Sequence, residues 1–235
     1  MFSVTLIGPD GAGKTTITRR LQSSGLLPFR YLYMGVNIGA SNAALPTSRL
    51  AAWVKRRIRG SSKAGGGARS AAPGRRRGMG SRLRAAARLA NRLAEEWFRQ
   101  AISWSYQLRG YVVLYDRHFA LDFAPEVMGE EARTLEHRVH RWFLTHLYPR
   151  PDLVVFLDAP GEVLFARKGE STVEELERRR QGFLRLGTRL PAFVRVDATE
   201  PLDEVYQQVA SCIVNYAEQR RGLRRAPVVD AESPG

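Results

Sequence analysis

Residues 8–15 read Gly8-Pro9-Asp10-Gly11-Ala12-Gly13-Lys14-Thr15, which is the spacing G-x-x-x-x-G-K-[ST]. Each residue type has a task in holding phosphate. Glycines let the chain curl until successive backbone N–H groups point inward at phosphate oxygens. A helix starting there adds a partial positive charge. A lysine at Lys14 reaches the outer phosphates, and the hydroxyl of Thr15 is a ligand for Mg²⁺. The candidate nucleotide-binding set is therefore Gly8, Asp10, Gly11, Ala12, Gly13, Lys14, Thr15 and Thr16. The expected cofactors are ATP and Mg²⁺. The plain alternative is a glycine-rich turn that binds nothing.

A second chemical landmark follows an apolar run at 111–115, which ends in Asp116-Arg117-His118. Ligands of open α/β sheets sit beyond the carboxyl ends of the strands. A carboxylate there, Asp116, can hold Mg²⁺ together with Thr15, directly or through water. An arginine beside it, Arg117, is best explained by a further phosphate that it faces. The plain alternative is a surface ion pair.

These residues need a scaffold. Five short apolar runs, at 3–7, 29–34, 111–115, 153–157 and 193–196, are bounded by turn residues or charges and read as strands. Helical patterns lie between them, at about 81–108, 130–147, 173–186 and 202–221. That alternation predicts an α/β fold, a parallel five-stranded sheet with helices on both faces, of the P-loop NTPase kind. The strand at 3–7 runs straight into the glycine loop, and Ile17 and Leu21 then mark a buried helix face. Residues 1–221 are read as one domain, with a basic insert at about 46–82 and a loose tail at 222–235. Within the insert, residues 60–80 hold Gly65-Gly66-Gly67 and Arg75-Arg76-Arg77 and almost nothing that packs, which predicts a loop.

The 235 residues, 44% hydrophobic, suit one well-cored domain. No run approaches the roughly 18 apolar residues of a membrane span. The first strand begins too early to leave room for a signal peptide. The one cysteine, Cys212, falls on a stripe with Val205, Val209, Ile213 and Tyr216 and is expected to be a core thiol. A cytoplasmic protein is the expectation. The net charge of +14 resembles a nucleic-acid signal until it is mapped. Residues 49–109 hold 16 Lys and Arg against only Glu95 and Glu96, and the remainder is balanced at 21 of each sign. The excess belongs to one segment, and between Gly60 and Arg92 it lacks the interleaved aromatics that stack bases.

The motifs together resemble the thymidylate kinases, within the nucleoside monophosphate kinases. In that family the phosphate loop is followed by Asp-Arg-Tyr or Asp-Arg-His, an arginine-bearing lid and an Asp-Ala turn. Here the counterparts are Asp116-Arg117-His118, Arg167-Lys168-Gly169-Glu170 and Val196-Asp197-Ala198. The likeness covers 1–25 and 105–220. Asp10, four places before Lys14, and Gly11, where other members carry arginine, resemble the bacterial type, whose lid supplies the missing cation. The resemblance implies that Lys14, Arg117 and Arg167 are the catalytic cations, and that Asp10 faces the acceptor's sugar. It also implies an acceptor-gripping arginine on the helix before the third strand, for which Arg92 and Arg99 are candidates. The region after the second strand, Tyr33-Met34-Gly35-Val36-Asn37, departs from the family's Arg-Glu-Pro-Gly segment. The donor half matches and the acceptor half does not.

The expected activity is phosphoryl transfer from ATP to a small-molecule acceptor, thymidine monophosphate first, in a monomer or homodimer. A kinase of a sugar, a lipid-linked sugar or a nucleoside is the main rival. Such an acceptor needs a base, for which Asp10, Asp116 and Asp122 are available. A GTPase would carry D-x-x-G after a strand and N-K-x-D for guanine, and neither is expected in this chain. A nucleic-acid motor would commonly place glutamate where Arg117 stands. The run Arg178-Arg179-Arg180-Gln181-Gly182-Phe183-Leu184 also resembles the family's segment after the lid, and Lys168, Arg178 and Arg179 are the alternatives to Arg167 as the lid cation. The plain reading of 178–180 is a solvated helix face.

Overall fold

The computed structural model describes residues 1–35, 79–128, 135–169 and 171–225. Of the loop expected at 60–80, residues 60–78 lie outside the described residues, as do most of the basic insert and the last ten residues of the tail, while Met79 and Gly80 are not loop but the start of a helix. Five strands form the sheet: β1 (Ser3–Ile7), β2 (Phe29–Tyr33), β3 (Val112–Asp116), β4 (Leu153–Asp158) and β5 (Phe193–Asp197). They are all parallel, in the order β2-β3-β1-β4-β5. Each strand lies within a residue or two of its apolar run. β1, β3 and β4 are buried along their whole length, which is why they read as continuous apolar runs.

Alternation along the strands sorts side chains between two faces. Val4 and Leu6, Val112 and Leu114, and Val155 and Leu157 point to one face. There they meet Ile17 and Leu21 of α1 (Lys14–Ser23) and Val205, Val209 and Ile213 of α8 (Leu202–Arg225). Leu164 of α6 (Gly161–Lys168) joins the same cluster. Ile7, Val154 and Phe156 point to the other face, against Leu121 of α3 (Phe119–Asp122), Val127 of α4 (Pro125–Met128) and Phe183 of α7 (Val173–Gly187). Farther along that face, Val113 and Tyr115 pack with Leu144 of α5 (Leu135–His146) and Ile102 of α2 (Met79–Leu108). Helices thus cover both faces, as the strand–helix alternation requires.

Three details differ from the expectations. Helix α8 continues to Arg225, beyond the expected end at 221. Cys212 is half-buried, not a core thiol, because the buried stripe runs through Val209, Ala210, Ile213 and Ala217 and leaves it at the edge. The short helices α3 and α4 carry too few residues to show a period. None of the described helices is long and apolar enough to cross a membrane.

Candidate active site

The sheet order makes the site. β1 is central, and the chain leaves it toward α1 while its neighbours β3 and β4 send their connections elsewhere, so a crevice opens at their carboxyl ends. Leu6 of β1 pairs in register with Asp116 of β3. That register brings the glycine loop and Asp116-Arg117 to the same edge. A cleft of about 510 Å³ lies there, lined by Asp10, Gly11, Gly13, Lys14, Thr15 and Thr16, by Asp116 and Arg117, and by Arg19, Tyr31, Tyr33, Arg167 and Lys168.

The loop needs its glycines for two different reasons. Gly13 has φ +86° and open space around a notional Cβ, so it is the backbone turn that excludes a side chain. Gly11 has φ +91°, and a Cβ there would also sit 2.8 Å from the carbonyl oxygen of Leu164. Lys14 is buried and folded over the loop, with Nζ donating to the carbonyls of Gly8 at 2.7 Å and Pro9 at 2.8 Å. Burial pulls its ammonium down to about 8, against opposing attraction from Asp10. A buried cation held by carbonyls in an open cleft suits an anionic ligand.

Asp116 is buried at the end of β3, where its Oδ2 accepts from Thr15 Oγ1 at 3.3 Å and from Tyr31 OH at 3.2 Å. Burial, and then the Asp116 charge, push the Tyr31 phenol far above its ordinary range, so it stays a donor. A hydroxyl and a carboxylate sharing one point form a hard oxygen donor set, as Mg²⁺ prefers. Among the described residues no group of three or more His, Cys, Asp or Glu could hold a metal alone. Phosphate oxygens and water would have to complete any coordination shell here.

Arg117 has φ +66°, a left-handed backbone rare outside glycine. Its Nη2 donates to Asp10 Oδ1 at 2.9 Å, and Arg179 of α7 donates to Asp10 Oδ2 at 3.4 Å. Burial opposes ionisation of Asp10, but Lys14, Arg117, Lys168 and Arg179 outweigh it and hold the carboxyl below its ordinary value. Asp122 is the opposite case. Burial dominates and raises its pKa, with Arg117 and Lys14 pulling the other way.

Of the residues singled out in the sequence, the structure gathers Asp10, Lys14, Thr15, Asp116, Arg117 and Arg167 around one cleft. Arg167 lines it but donates to the carbonyl of Ala198 at 2.7 Å. Arg92 and Arg99 are not among the lining residues. Arg99 is 1% exposed and spends its guanidinium on Glu95 at 3.0 Å and the Gly35 carbonyl at 2.7 Å, facing the Phe119 ring. Arg92 stands 3.7 Å from Glu96 and over the ring of Phe123. A helical arginine and the acid four residues before or after it pair readily, and that spacing was visible in the sequence.

The arginines of 178–180 are not one solvated face. Arg178 pairs with Glu175, Arg179 reaches Asp10, and Arg180 clasps the buried carboxylate of Asp158 at 2.5 and 3.1 Å. The expected absence of D-x-x-G does not hold, because Asp158-Ala159-Pro160-Gly161 has that spacing at the end of β4. Arg180 and Arg195 take up the Asp158 charge, however, and Asp158 does not line the cleft. Tyr31, Tyr33 and Arg19 belong to the cleft and carried no motif. Their signal was position alone, one strand and one helix turn away from the loop.

The fold and the cleft define an α/β protein whose site is consistent with a P-loop kinase. No protein-family model matches the chain. A probable thymidylate kinase of Archaeoglobus fulgidus is 28% identical to it over 119 residues, which are 48% of this chain and 58% of that protein. The chain thus spans little more than half the length of this curated relative. The likeness supports a thymidylate-kinase-like relationship.

Proposed function

We propose that the chain is an ATP-dependent phosphotransferase acting on a nucleoside monophosphate, with thymidine monophosphate the first choice. The observation that carries this reading is Arg117. It sits at the end of β3 in a left-handed backbone, its guanidinium turned toward the glycine loop and paired there with a carboxylate. An arginine so placed is built to hold an anion beside the donor phosphates. A monophosphate brings such an anion and, with a second pKa near 6, attacks without a base.

In this reading Lys14 and the loop amides would hold the outer phosphates of ATP, and Thr15 and Asp116 would hold Mg²⁺, which would supply charge neutralisation at the transferring group. Arg117 orients the acceptor's phosphate in line. The bacterial-type lid role of Arg167 requires it to leave the Ala198 carbonyl and swing inward. A cation delivered in this way is worth about 10³–10⁵ in rate.

Asp122 favours a second reading. A half-buried carboxyl whose pKa is raised, close enough to Arg117 and Lys14 to feel both, is a stronger base than an ordinary aspartate. A neutral hydroxyl acceptor, on a sugar or nucleoside, would need such a base. The two readings separate in one assay, ATP consumption coupled to a panel of nucleoside monophosphates, nucleosides and sugars. Thymidine monophosphate should be phosphorylated, and Arg117→Ala should abolish the transfer while Asp122→Asn leaves it measurable. Turnover of a sugar or nucleoside, lost in Asp122→Asn, with no monophosphate used, would overturn the first reading in favour of the second.

A further inference from the structure

One carboxylate of the cleft is bridged by two arginines. Asp10, on the phosphate loop, is held by Arg117 from the end of β3 and by Arg179 from α7. The two contacts use different oxygens of one carboxylate, at 2.9 and 3.4 Å. Three elements that are far apart in sequence thereby converge on a single anion. Lys168, at the end of α6, adds its field to the same carboxylate. Nothing in the packing demands this convergence. Asp10 is partly exposed and could turn to water, and isolated pairs of that kind are worth little for stability. What the arrangement does is present two guanidiniums at the spacing of one two-oxygen anion.

We infer that Asp10 is a latch occupying the acceptor's anion site, and that Arg179, with Arg117, is a binding residue for the acceptor's phosphate. This rests on the reading of the cleft as the site of a monophosphate kinase. The acceptor's phosphate replaces the Asp10 carboxylate between the two arginines. Asp10 is released to accept from a sugar hydroxyl, and α7 stays drawn toward the phosphate loop by the substrate instead of by the protein. Arg179 is well placed for this because Arg180, its neighbour, is anchored to Asp158, which fixes the first turns of α7 against β4. An acceptor lacking the anion would leave the latch in place.

Phenylglyoxal modification of the purified full chain, with peptide mass mapping of each arginine, tests the latch without reference to turnover. In the ligand-free chain Asp10→Asn should raise the modification rates of Arg117 and Arg179 several-fold and leave that of a distant exposed arginine unchanged. Thymidine monophosphate should slow modification of both residues in the native chain, and thymidine should not. In Arg179→Gln the affinity advantage of thymidine monophosphate over thymidine should shrink several-fold, and in Asp10→Asn it should grow. Unchanged rates in Asp10→Asn overturn the latch whatever ligand binds. Protection of Arg117 without Arg179, or equal protection by thymidine, overturns the assignment of Arg179 to a phosphate. If Asp10→Asn speeds modification but thymidine monophosphate protects neither arginine, the latch stands and the monophosphate reading of the function falls.

Discussion

Lys14 shows what it costs to bury a cation at the residue for which phosphate binding is proposed. It is buried against its own loop at the edge of the cleft, and burial brings its ammonium down to about 8 from 10.5, because the two loop carbonyls only partly replace the lost water. The folded-state value lies below the unfolded one, so the charged form is disfavoured by folding. The cost is absent above pH 10.5, grows as pH falls toward 8, and is complete below it. Two consequences follow for a ligand-free chain and a bound one. At pH 7 Lys14→Met should be at least as stable as the native chain toward urea, because it removes a desolvated charge. If pyrophosphate or ATP meets this lysine as proposed, it should favour the protonated form, so affinity should fall as pH rises past about 8, with proton uptake on binding. Titration calorimetry in two buffers of different ionisation enthalpy reads that uptake directly. An unaltered pH slope in Lys14→Met would mean that another group takes the proton and that Lys14 does not meet the phosphates.

At the scale of elements, the site depends on how closely helices approach the sheet and each other. Gly182 of α7 faces α4, and a Cβ there would lie 2.3 Å from the Glu126 carbonyl oxygen and 2.8 Å from the Val127 Cα. Both are backbone atoms that cannot rotate away. Gly182→Ala should therefore push α4 off α7 and destabilise by about 1–3 kcal/mol, the usual range for an overpacked contact. Thermal melting monitors this, and an unshifted melting temperature would show that the two helices are not in contact. The same contact explains what the sequence could and could not reveal. The strands and the long helices were legible because apolar runs and 3.6-residue periods report burial locally. The glycine loop and Asp116-Arg117 were legible as a pair because each follows an apolar run, and the pairing of β1 with β3 brings both to one cleft. Arg179 and Arg180 were not separable from Arg178 by any local signal. Their different partners, Asp10 and Asp158, lie 169 and 22 residues away along the chain, and only the sheet register decides which carboxylate each one meets. Arg99 differs, since its partner Glu95 stands only four residues before it, and the pair is buried away from the residues that line the cleft.

For the whole molecule, the most consequential titration lies behind the site. His118 is fully buried after Arg117, with its ring against those of Tyr115 and Tyr148, and neither ring nitrogen has a hydrogen-bond partner. Burial alone lowers its pKa to about 3 from 6.5. A histidine kept neutral in the fold is protonated more readily when the chain unfolds. Its contribution to stability is therefore intact above pH 6.5 and is lost as pH falls from 6.5 toward 3, where the folded form at last takes the proton. One proton of difference gives a slope of about 1.4 kcal/mol per pH unit across that window. The lowered Asp10 contributes stability that is lost only below the ordinary carboxylate range, and the raised Asp122 has the opposite sign, its cost being relieved as pH falls, so neither mimics the histidine at pH 5–6.5. His118→Phe keeps a planar ring for Tyr115 and Tyr148 and removes the titration. Urea midpoints measured from pH 5 to 8 should fall steeply on the acid side for the native chain and stay nearly level for His118→Phe. Parallel curves for the two chains would show that His118 is not the buried neutral group, and that acid sensitivity of this fold arises from its carboxylates.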